Sequence, residues 1–322
     1  MTTLAEKPTL KVKQTDFWPG FPYDDNYILQ TLRKVYHVVI TEENPDVLLY
    51  YSYGKNYLKY DCYRIQFISE NIRPDFTAAD FSFGFDYSND IRYYRLPLYF
   101  FYMLEKKEKL LESPSQQKAT SIWASKKKFC CMVVSNGLAK ERIRFFHELS
   151  KYKAVDSGGR FLNTVGGPVP DKEAFIKDYR FVIAFENSAY PGYTTEKILE
   201  PLLAESIPVY WGNPMIEREF NPKRILVSEN GNNFTDVIDQ IKLIDQSDQL
   251  AIEILQQPVF RDNKLPASLK EENFQNTLLD FVGRMRNTKP VAQTLQKFVH
   301  TFKRKRNTLQ AIINSKLNRK IR

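Results

Sequence analysis

Between Phe181 and Pro214 two wholly apolar runs, Phe181–Phe185 and Ile207–Trp211, bracket a polar stretch and a segment long enough for a helix. An apolar run of this length without polar alternation fits a strand covered on both faces, the condition of a parallel sheet. Parallel neighbours need a crossover connection, and residues 186–206 suffice for a helical one. Gly212, Asn213 and Pro214 stop the second run. The segment between the runs places Glu186, Asn187, Tyr193, Thr194, Thr195, Glu196 and Lys197 where the carboxyl edge of the sheet falls. Ligands of open α/β sheets sit outside that edge. A helix opening at 194–197 would add free backbone N–H groups and a positive dipole end, which suit a phosphate. The same residues also suit an ordinary strand–loop–helix unit with a solvated first turn, and spacing alone does not separate the two.

The rest of the chain extends the alternation. Strands are expected over Leu10–Phe17, His37–Thr41, Val47–Ser52, Arg64–Ser69 and Phe81–Phe85, with a short helix over Ile28–Val35. From Tyr102 to Lys128 the chain is polar and reads as a linker that opens with a short helix. A second series follows: a strand over Phe129–Val134, a helix over Leu138–Tyr152 with apolar positions 138, 145, 146 and 149, and a short strand at Ala154–Asp156. A helix over Asp171–Asp178 precedes the Phe181–Pro214 segment, and a strand at Ile225–Val227 and a helix over Phe234–Asp245 follow it. At 322 residues the chain exceeds the usual size of one hydrophobic core. The expected organisation is an α/β unit over 1–110, a linker over 111–127, a second α/β unit over 128–286 and a tail over 287–322.

Phe185-Glu186-Asn187-Ser188, Gly192-Tyr193-Thr194-Thr195-Glu196-Lys197-Ile198 and Ile207-Pro208-Val209-Tyr210-Trp211-Gly212 together resemble the signature of the α-1,3-fucosyltransferases of glycosyltransferase family 10. The resemblance covers roughly residues 60–260 well and the first sixty only loosely. It implies a GT-B fold of two Rossmann-like domains facing a cleft, the first holding the acceptor sugar and the second GDP-fucose. It further implies an inverting transfer of L-fucose to O3 of GlcNAc or glucose in N-acetyllactosamine- or lactose-type glycans. An α-1,4 transferase, or a GT-B enzyme with another donor, is the nearest alternative.

Such a transfer needs the diphosphate leaving group neutralised, the acceptor hydroxyl deprotonated and the sugar held in line. Metal-using glycosyltransferases generally carry an Asp-x-Asp triplet, and this sequence has none, so protein cations and no metal or other cofactor are expected at the phosphates. By the resemblance, Arg142 (preferred over Arg144) and Lys197 clamp the phosphates, while Glu196, Tyr193 and Asn187 contact the donor. Glu186 is set lower because its side chain can point into the fold. Glu70, in a Glu-Asn pair followed by a loop with Pro74 and by Gly84-Phe85-Asp86, matches the family's base. Without the resemblance it is an exposed strand-end acid. Asp86 is a weaker candidate for positioning the acceptor or the base.

The formal charge of +9 is carried by the tail: residues 287–322 hold ten Lys or Arg and no acid, which leaves the remainder at about −1. A basic nucleic-acid-binding core is therefore not indicated. Leu295, Phe298, Val299 and Phe302, then Leu309, Ile312, Ile313 and Leu317, recur at helical spacing. Such a basic amphipathic tail suits peripheral contact with an anionic membrane, though a helix closing the fold, or a non-catalytic protein binding membrane or nucleic acid through its tail, has the same pattern. No signal peptide and no apolar run of spanning length is seen. Cys62, Cys130 and Cys131 read as reduced, buried thiols. A cytoplasmic protein at the inner face of the membrane is the expectation.

Overall fold

A computed structural model describes residues 6–51, 53–285 and 290. The first unit runs β1 (Thr9–Thr15), α1 (Tyr27–Arg33), β2 (His37–Ile40), β3 (Val47–Tyr51), β4 (Tyr63–Phe67), β5 (Phe81–Gly84) and β6 (Tyr93–Arg95). Then come α2 (Tyr99–Met103), α3 (Lys107–Leu111) and α4 (Gln116–Ser125). The second unit runs β7 (Lys128–Met132), α5 (Lys140–Ser150), β8 (Val155–Ser157), α6 (Lys172–Ile176), β9 (Tyr179–Phe185), α7 (Leu199–Leu203), β10 (Ile207–Trp211) and β11 (Leu226–Val227). Helices α8 (Thr235–Asp245), α9 (Asp248–Leu255) and α10 (Glu271–Met285) close the described chain.

Every pairing between named strands is parallel, in a six-stranded sheet of order β2-β1-β3-β4-β5-β6 and a five-stranded sheet of order β11-β10-β9-β7-β8. Both follow one winding rule: the second strand lies on one side of the first and all later strands on the other. The point of reversal, between β1 and β3 and again between β7 and β9, opens a crevice at the carboxyl edge. The two apolar runs are the neighbours β9 and β10, in register from Phe181 against Ile207 to Phe185 against Trp211. All five residues of β10 are buried, as the absence of alternation requires.

Three features differ from the sequence reading. Residues 111–127, expected as a linker, hold α4 over most of their length. Ala119 and Trp123, one turn apart, are buried in the second unit's core, and Trp123 Nε1 donates to Asp248 Oδ1 at 2.7 Å. At its end Lys126 donates to the carbonyls of Lys177 and Ala204 at 2.8 and 2.6 Å, and burial pulls its pKa down to about 8. Strand β6 is too short to announce itself. Helix α10, which chain order groups with the second unit, packs on the first: Phe274 lies 5.3 Å from Phe83 and Phe281 4.8 Å from Phe81, ring to ring. The proposed amphipathic tail lies outside the described residues. Among the described residues no helix is long and apolar enough to cross a membrane, and the three cysteines are free and buried.

Candidate active site

Helix α5 follows β7 and presents Arg142, Phe145, Phe146 and Leu149 as its buried face. These positions keep a helical i, i+3, i+4, i+7 stripe, with an arginine where the pattern calls for an apolar residue. Leu138 precedes the helix and is 84 % exposed, so the stripe begins at Arg142 instead. That placement turns the guanidinium inward. Its Nε and Nη2 donate to the carbonyl of Phe185 at 3.1 and 2.7 Å, and Nη2 also donates to Asn187 Oδ1 at 2.9 Å. Arg144 points the other way, over the ring of Phe234.

Arg142 and Asn187 thus meet beyond the carboxyl ends of β7 and β9, at the reversal point of the second sheet. The arginine is 2 % exposed, and burial depresses its pKa, opposed chiefly by Glu186. Among the described residues no carboxylate forms an ion pair with it. A buried cation held only by neutral oxygens is a site for an anion.

Lys197 is held differently. Its ammonium lies 3.3 Å from Glu186 Oε2 and 3.5 Å from Glu196 Oε1, and it donates to Thr195 Oγ1 at 2.9 Å. Burial lowers its pKa, but the two carboxylates outweigh burial and leave it above its ordinary value. Glu186 does point into the fold. It is fully buried and accepts from the Thr195 N–H at 2.7 Å and the Thr195 hydroxyl at 2.8 Å. Burial raises its pKa, against the opposing pull of Lys197 and the Thr195 N–H. A Cβ at Gly212 (φ +153°) would sit 2.5 Å from Glu186 Cγ, so only glycine leaves room for this carboxylate.

The expected helix opening at 194–197 is smaller than the sequence indicated. Residues Glu196–Ile198 form a 3₁₀ turn, and α7 beyond it has five residues with Pro201 inside. The Thr195 N–H is already taken by Glu186. The anion-binding character here therefore comes from side-chain cations, with little from a helix dipole.

Glu70 follows β4 at the carboxyl edge of the first sheet and faces this cluster. Tyr193, 1 % exposed, packs edge-on to Phe85 with ring centroids 4.9 Å apart, and its hydroxyl donates to Glu70 Oε2 at 3.4 Å. Burial, then Glu186 and Glu70, push the Tyr193 pKa up, so the phenol keeps its proton as a donor. Tyr53 donates to Glu70 Oε1 at 3.3 Å. One carboxylate of the first unit is thereby bracketed by hydroxyls from both units. Asp86 makes no direct contact with Glu70: its carboxylate pairs with Arg73, which donates to Asn71 beside Glu70, and its N–H donates to the Tyr93 hydroxyl at 2.6 Å.

Sequence reasoning missed the residues that join the units. Arg73 stacks on Tyr190, 3.6 Å from the ring centroid, and Asn71 donates to Ser188 Oγ at 2.7 Å. Arg95 donates to both carboxylate oxygens of Glu219 at 2.7 and 2.6 Å and to the Gly192 carbonyl at 3.0 Å. Tyr99 adds a bond to Glu219 at 2.8 Å. The units approach so closely at Gly192 (φ +93°) that a Cβ there would lie 2.1 Å from the Phe85 carbonyl oxygen. No local pattern marks Arg73 among loop arginines. Nothing in the sequence around Arg95 names a partner 124 residues away.

Comparison with known proteins agrees with this geometry. Residues 12–102 match the alpha-(1,3)-fucosyltransferase FucT N-terminal domain, and residues 123–256 match glycosyltransferase family 10 (fucosyltransferase) C-term. The alpha-(1,3)-fucosyltransferase FucT of Helicobacter pylori is 29 % identical over 275 residues, spanning 74 % of this chain and 57 % of that protein. The human GDP-fucose protein O-fucosyltransferase 3 is 34 % identical over 122 residues, or 34 % of this chain and 25 % of that one. The chain thus spans little more than half the length of its bacterial relative. A crystal structure of an alpha1,3-fucosyltransferase with GDP superposes with a TM-score of 0.74 at 24 % identity, covering 91 % of this chain and 94 % of that one, so the GT-B fold is shared. With matches to both parts of the family's architecture and the same fold, the chain belongs to glycosyltransferase family 10, the fucosyltransferases.

Proposed function

We propose that the protein is an inverting α-1,3-fucosyltransferase that moves L-fucose from GDP-fucose to O3 of GlcNAc or glucose in an N-acetyllactosamine- or lactose-type glycan. The observation that carries this reading is the convergence at one crevice of a buried, carboxylate-free Arg142 and a Lys197 held by Glu186, opposite Glu70 on the other unit. Family membership, and relatives described as fucosyltransferases, support it.

In this reading Glu70 removes the proton of the acceptor hydroxyl as that oxygen attacks C1 of fucose. The C1–O bond to the diphosphate breaks and GDP departs carrying the electron pair. Arg142 and Lys197 neutralise the charge that develops on the departing phosphates, a stabilisation realised as the bond breaks. Asn187, tied to Arg142, fixes the direction of the guanidinium. Glu196 is suited to accept from the ribose hydroxyls. Tyr193 holds Glu70 and closes the site against water. Displacement on one face inverts the anomeric centre, and no metal ion is assigned a role. Contact of residues 287–322 with an anionic membrane is part of the proposal and rests on their sequence alone.

The test is incubation with GDP-fucose and N-acetyllactosamine in EDTA, with products followed by mass spectrometry and NMR. An α-1,3-linked trisaccharide is expected. Glu70→Gln should lower turnover by about 10²–10⁴-fold, the usual worth of a positioned base, with donor affinity retained. Activity abolished by EDTA, or an E70Q variant as fast as wild type, would refute the corresponding assignment.

A further inference from the structure

The first sheet has its own reversal point, between β1 and β3. Beyond the carboxyl ends of β1, β3 and β4 lies a cavity of about 280 Å³ walled by Phe17, Trp18, Phe21, Tyr51, Phe67 and Phe101. Its walls are braced ring on ring. Phe17 and Phe21 stack at 3.9 Å, and Trp18 stands edge-on to Phe21 at 5.1 Å and to Tyr51 at 5.8 Å.

Most of the polar groups along the lining are already engaged. Asn26 Oδ1 accepts from the Leu29 N–H at 3.2 Å, and its Nδ2 donates to Gln14 and to the Pro22 carbonyl, each at 2.9 Å. The Ser69 hydroxyl donates to Tyr51 at 2.7 Å, and the Tyr27 hydroxyl accepts from Gln275 at 2.9 Å. A polar occupant would lose water and regain few hydrogen bonds. A nucleobase, with its hydrogen-bonding edges, is therefore a poor fit, whereas a hydrocarbon or aryl group is a good one. The volume falls just below the range of small-molecule pockets, roughly 300–1,000 Å³, and so suits a short chain or a single ring.

The cavity borders the candidate catalytic centre. Ser69 adjoins Glu70 in the chain, and the ring of Tyr51 is 4.5 Å from that of Tyr53, which donates to Glu70. Tyr102 is 52 % exposed on the lining, and burial, then Glu196 and Glu200, raise its pKa against Lys197. Resting on the fucosyltransferase reading, we propose that this cavity is a subsite for an apolar aglycone, an alkyl or aryl group carried at the reducing end of the acceptor sugar whose hydroxyl reaches Glu70.

The experiment compares methyl, hexyl and phenyl β-glycosides of N-acetyllactosamine as acceptors at fixed GDP-fucose, using the full chain. Each methylene taken out of water is worth about fourfold in affinity, so the hexyl glycoside should show a KM at least roughly tenfold below that of the methyl glycoside. Phe101→Trp, which narrows the cavity, should erase that advantage and leave turnover of the methyl glycoside unchanged. Binding without donor is read from tryptophan emission. Trp18 is 40 % exposed, against 3 % for Trp123 and 8 % for Trp211, so the hexyl glycoside should give a blue shift that Trp18→Phe removes. Equal KM values for methyl and hexyl glycosides, or a hexyl preference that survives F101W, overturn the subsite. Should no glycoside be turned over, the transferase reading fails, and the emission titration still decides the cavity: a shift lost in W18F upholds apolar binding, and no shift overturns it.

Discussion

Glu186 shows how one residue can be legible in type and not in role. Its place after an apolar strand marked it as able to point inward, and it does, yet nothing in the sequence said that it would hold Lys197 and Thr195 together. Its raised pKa has a signed consequence. Above the ordinary carboxylate value of 4.5 the folded state keeps a proton that the unfolded state has released, so the contribution of Glu186 to stability falls as pH rises through that window. Urea midpoints measured from pH 4 upward should therefore show wild type losing stability relative to Glu186→Gln, with a slope no steeper than about 1.4 kcal/mol per pH unit for one proton. Parallel curves for the two proteins would rule this out. Arg142 makes the complementary point. The helical stripe was readable from Phe145, Phe146 and Leu149, but its first position went to the exposed Leu138, because a periodicity argument favours an apolar residue over a buried cation. Only the family signature singled out Arg142.

Among elements, β9 and β10 were the easiest to read, since five apolar residues in succession leave few alternatives to a doubly covered strand. Helix α4 was the hardest. Its contact with the core comes through Ala119, Trp123 and the partly buried Ile122, while Gln116, Gln117, Lys118, Thr120 and Ser121 make it look like a linker. The distinction is measurable. Trp123→Ala should destabilise the protein by about 3–5 kcal/mol, the cost of emptying an aromatic core position, whereas a substitution in a true connection stays within about 0.5 kcal/mol. Denaturant melts of W123A, with Gln117→Ala as the exposed control on the same helix, give the comparison. The short turn at Glu196–Ile198 was misjudged for another reason: the residue types that cap a long helix also suit a single turn, and Pro201 was the available hint that regular hydrogen bonding would be interrupted.

At the scale of the whole molecule the units are joined by contacts that bring together residues more than a hundred positions apart, which local pattern cannot foresee. One of them is the buried pair Arg95–Glu219. Glu219→Gln would leave the guanidinium without its anion and should cost about 3–5 kcal/mol in a urea melt, while the double variant Arg95→Met, Glu219→Leu should recover much of that loss. A double variant no more stable than E219Q would show that the pair does more than neutralise itself. The return of α10 to the first sheet bears on how the molecule is made. A ribosome delivers the aromatic face of β5, with Phe81 and Phe83, long before Phe274 and Phe281 exist to cover it. The second sheet fills one core from its own segment, with Trp123, Phe145, Phe181 and Ile207, but its other side, with Ile198, Leu202 and Tyr210, packs in the same core as the first unit and α10. The first sheet thus waits with uncovered rings, a natural client for a chaperone, and the core it shares with the second unit closes only when residue 285 has emerged.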